Sequence, residues 1–158
     1  MSTAGPSTKF YPTRSNLLLV VIALLSLGGL ADALYLTVEH ITGQSVRCTI
    51  TSGCSEVLSS SYATLFGYPL AGFGAVAYFS VFSLAILAFF GYRIAGTLLI
   101  PLVSAMFLMS LWLIYLQAFV IHAFCQFCLL SAAITFTLTI LVFARSLLLR
   151  QQPRSDTL

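Results

Sequence analysis

Charge is what this sequence has least of. Only 7 % of its 158 residues are Asp, Glu, Lys or Arg, against 59 % hydrophobic, where a soluble globular domain carries about a quarter charged residues. Between Ile94 and Ala144 there is no Lys, Arg, Asp or Glu at all. That scarcity excludes a water-exposed surface around most of the chain and makes it an integral membrane protein. A net charge of +3 with no basic cluster gives no footing for nucleic acid. The length also leaves no room for a further soluble domain of about 100 residues beside the spans.

What is present falls into four apolar segments. Residues 1–14, "MSTAGPSTKFYPTR", form a polar tail. Ser15 to Val38 can cross a hydrocarbon layer of about 30 Å, which takes about 20 helical residues. Its only charge is Asp32, expected to be a hydrogen-bonding group inside the bundle rather than a proton relay. The basic residues before this run and "ADA" at Ala31 to Ala33 imitate a cleavable leader. The run is long for one and continues as "LYLTV", so it reads as a span. Residues 39–68 are polar, contain "RCTITSGC", and form a long loop whose apolar tail "VLSSSYATLF" argues for order. Pro69 to Gly91 is the second span, with Pro at its start, where a missing N–H costs nothing.

As a single helix, the uncharged run from Ile94 to Ala144 would be about 75 Å long, so it must cross twice. Its best break is "VIHAFCQFC", where His122 and Gln126 interrupt the apolar pattern. The fold expected is therefore all-α: a four-helix membrane bundle over residues 15–147, with external loop 39–68 and a polar tail over 148–158. Four crossings put both termini on one face. Lys9, Arg14, Arg93, Arg145, Arg150 and Arg154 then share that face and Arg47 lies opposite, which makes the six-residue face cytoplasmic. Cys48, Cys54, Cys125 and Cys128 all fall on the external face.

Thiols on an external or luminal face are not kept reduced by cytosolic glutathione and thioredoxin. Four cysteines allow three pairings, and spacing favours Cys48 with Cys54 and Cys125 with Cys128 at rest. A CxxC ring is too small to stabilise the chain much, so exchange chemistry explains it better than stapling. Cys125 opens a helix, where free N–H groups and the macrodipole favour thiolate. Cys128 lies one turn inside, facing apolar bundle, where a membrane quinone is the kind of acceptor that can approach. A soluble thiolate attacking Cys48 would free Cys54 to attack Cys125, releasing Cys128 toward the quinone. Structural disulfides, or a Cys and His metal site including His40 and His122, are the competing readings.

The loop pair, "CSEVLSSSYATLFGYP" and "CQFC" opening the last helix together resemble the vitamin K epoxide reductase (VKOR) family in its bacterial form. The resemblance implies a quinone-dependent thiol oxidoreductase supporting disulfide formation. Cys48 and Cys54 would be its loop cysteines, Cys125 and Cys128 its active-site CxxC, and Ser60 its loop serine. Phe124 and Phe127 are added as quinone contacts. The cofactor implied is ubiquinone, menaquinone or a vitamin K type quinone. The partners implied are the lipid bilayer and a separate thioredoxin-fold, DsbA-like protein, since the fused thioredoxin-like domain of many bacterial members is not found here. The location implied is the bacterial inner membrane, or the ER membrane in a eukaryote, with the site facing periplasm or lumen. The DsbB-type oxidases carry their two pairs in the opposite order. The tyrosine that vertebrate members place four residues after the CxxC is Ala132 here, and their second-helix Asn has no counterpart in "AGFGAVAYF". Both departures weigh against epoxide reduction; a vitamin K quinone or epoxide reductase is the alternative activity.

Overall fold

The computed structural model describes residues 14–43, 53–65 and 67–151. Helix α1 (Arg14–Thr42) is followed by a short helix α2 (Cys54–Ser59), a 3₁₀ turn (Ser61–Ala63) and a hairpin of β1 (Thr64–Leu65) and β2 (Tyr68–Pro69). Then come α3 (Leu70–Phe89), α4 (Arg93–Leu116) running into a π-helical turn (Gln117–Ile121), and α5 (Gln126–Gln151). Four of the segments, Arg14–Thr42, Leu70–Phe89, Arg93–Ile121 and Gln126–Arg150, are long and apolar enough to cross a membrane. The uncharged run divides at His122–Cys125, inside the break expected from its sequence. The first span reaches one turn further than its hydropathy suggests, through Glu39 and His40 to Thr42.

In hydrocarbon every backbone polar group must find its partner within the protein, and the helix ends show how. At the end of α3, Gly91 adopts φ 94°, Tyr92 N–H donates to Leu87 O and Gly91 N–H to Ala88 O, both at 3.1 Å. This is a Schellman closure, which needs a left-handed residue at that point. It turns the chain within three residues, so α3 and α4 run antiparallel as neighbours. Pro69 caps the start of α3.

The helices form a ring in which α1 packs on α3, α3 on α4, α4 on α5 and α5 on α1. Helices in lipid have no hydrophobic force driving them together, so close van der Waals fit matters most. Leu19, Ile22, Val81, Leu99, Val103 and Leu138 are sealed within the ring, with small residues such as Ala23, Ala85 and Ala95 between them. At the closest approach of α1 and α3, Gly29 faces the ring of Tyr78 so tightly that an added Cβ would overlap it. The Tyr78 hydroxyl is held 2.8 Å from Ser131 O, Ser131 Oγ and Thr135 Oγ1, tying α3 to α5. Beyond Tyr78, α2 and the hairpin cover the end of the ring where α1 and α4 finish and α3 and α5 begin.

Candidate functional site at the CxxC helix start

The site begins with the way α4 ends. Its last helical turn loosens into a π-helical turn at Gln117–Ile121, after which His122 takes the left-handed conformation at φ 54°. Turns of both kinds cost conformational energy and collect at functional sites. The reversal leaves Ala123, Phe124 and Cys125 without regular structure and aims the Cys125 N–H at buried Gln117, whose Oε1 accepts it at 3.1 Å. Gln117 lies eight residues upstream of Cys125, and only the π turn explains why the two meet.

Cys125 is the N-cap of α5. Its carbonyl accepts the Leu129 N–H at 3.0 Å, and its Sγ lies 3.5 Å from the Cys128 N–H, taking the capping place an Asp or Ser oxygen usually fills. The Cys128 side chain hydrogen-bonds to the Cys125 sulfur. Aided by the Cys128 and Phe127 N–H groups, this brings the Cys125 thiol down to about 7 against the opposing effect of burial. Cys125 and Cys128 are both unbonded. The structure thus shows the pair as the dithiol, a thiol hydrogen-bonded to a thiolate across one helical turn, where spacing favours a disulfide at rest.

Cys54 starts α2 and is disulfide-bonded; Cys48, expected as its partner, lies outside the described residues. The start of α2 rests directly on the segment before Cys125. A Cβ on Gly53 would stand 2.9 Å from both Ala123 Cβ and Phe124 N, so only glycine permits this approach. Cys54, Val57, Ala123 and Cys125 form one buried cluster, with Phe127 and Cys128 packed against it. Cys54 and Cys125 each have 0 % of their surface exposed.

On the other side of Cys128 a cavity of about 150 Å³ opens between the helices, the size that accepts one benzene-like ring. Its walls are apolar where Leu36, Leu113 and Ile114 face it, and its polar groups include Asp32, Ser60, Gln117 and Ser131. Ser60 lines the cavity, and it also caps α2, its Oγ–H going to Val57 O at 2.7 Å. Phe124 and Phe127 do not line the cavity: Phe124 is exposed, and Phe127 packs on Tyr35 with ring centroids 5.2 Å apart. Helical spacing of aromatics does not say which face looks inward. Asp32 does not behave as a bundle hydrogen-bonding group at its Oδ2, which is buried without a partner among the described residues. Among those residues, no three of His, Cys, Asp and Glu gather to hold a metal ion.

The chain is 34 % identical over 116 residues to the thiol-disulfide oxidoreductase LTO1 of Arabidopsis thaliana, an alignment covering 68 % of this chain and 31 % of that protein. It therefore spans about a third of that relative's length. Residues 20–143, which reach into all four membrane-spanning helices and include the loop and the CxxC, match the vitamin K epoxide reductase family, and the chain belongs to that family.

Proposed function

We propose that the protein is a quinone-dependent thiol–disulfide oxidoreductase, reoxidising a thioredoxin-fold, DsbA-like partner and so supporting disulfide formation. The observation that carries this reading is that two hydrogen-bonded sulfurs of one helical turn have different neighbours on their far sides. Cys125 packs into the cluster that contains Cys54, while Cys128 lines a ring-sized apolar cavity. A quinone bound there would accept two electrons and two protons to become a quinol. The fit rests on the cavity's volume, its apolar walls and its contact with Cys128.

The residues divide the work as follows. A partner thiolate needs an accessible sulfur, and Cys54 has no exposed surface, so the reading assigns the incoming attack to Cys48 and the onward attack on Cys125 to Cys54. Cys125, with its thiol near 7, is a good leaving group in exchange. Gln117 fixes the backbone at Cys125. Gly53 lets α2 seat against it. Ala123, Val57 and Leu58 exclude water from the transfer between pairs. The distribution of Lys and Arg supports cytoplasmic termini and an external or luminal site, whether in a bacterial inner membrane or the ER. In this reading residues 15–147 form the catalytic domain between polar tails.

The test is anaerobic turnover of purified protein with a reduced thioredoxin-fold partner, following ubiquinone or menaquinone reduction spectroscopically. Wild type is expected to reduce quinone and Cys128→Ala to lose that activity. Cys54→Ala should fail with the protein partner but retain activity with a small dithiol. Folded wild type without quinone reduction would overturn the proposal.

A further inference from the structure

Quinone reduction poses a question of proton supply, which rests on the reading above. A dithiol closing to a disulfide gives up two electrons, and a quinol needs two protons with them. Cys125 at about 7 is roughly half thiolate at neutral pH. In that form the sulfur pair holds a single proton, on Cys128, and is one short.

Few groups in the cavity have a proton to give. Ser60 has committed its hydroxyl hydrogen to Val57 O, and Ser131 Oγ is engaged with Tyr78. The Gln117 amide does not ionise. His40 and Tyr62 also line the cavity, but Tyr62 is half exposed and His40 part-exposed, whereas Asp32 is buried. Asp32 is 9 % exposed, lines the same cavity as Cys128, and has an Oδ2 with no partner among the described residues. Burying an ionised carboxylate without a partner is expensive, whereas a carboxylic acid in that place has one O–H to give. Membrane-embedded acids of this kind commonly serve proton transfer.

We propose that Asp32 is the second proton donor of the site. The Cys125 Sγ–Cys128 Sγ bond forms, the Cys128 S–H bond breaks, and two electrons leave the sulfurs for the ring held in the cavity. The two O–H bonds of the quinol are made with the proton from Cys128 and the proton from the Asp32 carboxyl. Asp32 is left as carboxylate and regains its proton from external water. Leu36 and His40 follow Asp32 at intervals of four along α1 and line the same cavity, so one helix face leads from the carboxyl toward that end of the bundle.

Asp32→Asn keeps the shape and removes the transferable proton, while Asp32→Glu keeps the proton. Each variant is supplied with a small dithiol and excess ubiquinone, and three quantities are read: quinone reduction, equilibrium quinone binding, and the steady-state redox state of Cys125 and Cys128 by acid quench and thiol labelling. Asp32→Asn is expected to slow quinone reduction about 10²-fold or more, the range of a lost general acid. Binding should stay within about threefold of wild type, since shape and polarity are retained. Cys125 and Cys128 should accumulate as thiols, and Asp32→Glu should restore part of the rate. Wild-type turnover in Asp32→Asn would overturn the assignment, as would slow turnover with the pair trapped as disulfide, which would place the defect before the proton step. A wild type that binds and reduces no quinone would remove the reading beneath it and this one with it.

Discussion

At one end of the bundle Leu19, Ile22, Val81, Leu99 and Val103 meet with almost no surface left between them. At the other, the same four helices border a cavity edged by Asp32, Gln117 and Cys128. The packed end has continuous α-helices, one of them with Pro101 inside it, and a tight Schellman closure between α3 and α4. The open end has a π turn, a left-handed histidine and a loop helix, none of which lets side chains close the space. Close fit in one half holds the helices in register, and a few irregular residues in the other leave room for a ligand beside a sulfur.

Substitutions that change volume in opposite directions put that contrast under strain. Leu99→Ala should be the most damaging: it empties a fully buried site, and such truncations cost about 2–5 kcal/mol. Chemical unfolding in detergent would show it, and a loss under about 1 kcal/mol would mean the packed end is loosely filled. Gly29→Ala adds one carbon against the Tyr78 ring, and overpacking of this kind costs about 1–3 kcal/mol. It is expected to lower the melting temperature, with Tyr78→Phe in the same chain failing to relieve it because the ring, not the hydroxyl, is the obstacle.

At the open end the expected sign reverses. Ala132→Leu places added carbons into the cavity, so stability should hold within about 0.5 kcal/mol or rise, while the apparent KM for quinone increases about tenfold, or about 1.4 kcal/mol. Equal destabilisation by Ala132→Leu and Leu99→Ala would erase the distinction between the two ends.

The smallest effect is a titration. Because hydrogen bonding from Cys128 brings Cys125 down to about 7, the thiolate form gains ground as pH rises through neutrality, from about a tenth at pH 6 to about nine-tenths at pH 8. Ultraviolet thiolate absorbance in a Cys48→Ala/Cys54→Ala background should therefore inflect near 7. Adding Cys128→Ala removes the donor and should move the inflection upward; an unchanged inflection would assign the effect to the helix end alone.

The four spans were legible because an uncharged run as long as Ile94 to Ala144 has no other physical outcome than crossing twice, and His122 with Gln126 marked where it bends. Cys125 and Cys128 at a helix start followed from the same break. Helix α2 was less visible, since six residues inside a polar loop carry too little periodicity to separate helix from turn. Gln117 left no signal: its meeting with Cys125 depends on a π turn, which shifts the facing of every residue after it. Asp32 reads from the sequence as a hydrogen-bonding group inside the bundle, because hydropathy records that a carboxyl lies in a span and not which partners it meets there. Phe124 and Phe127 show the converse: aromatic side chains beside the CxxC are easy to propose as quinone contacts, yet neither lines the cavity.

The complete burial of Cys125 bears on durability. A thiolate near neutrality is the form most open to peroxide, and the steps beyond sulfenic acid, to sulfinic and sulfonic acids, are largely irreversible. Susceptibility depends on access as well as ionisation. With no surface of its own, the Cys125 sulfur is ionisable and covered at once, so the packing of Gly53, Cys54 and Val57 over it restricts the approach of peroxide.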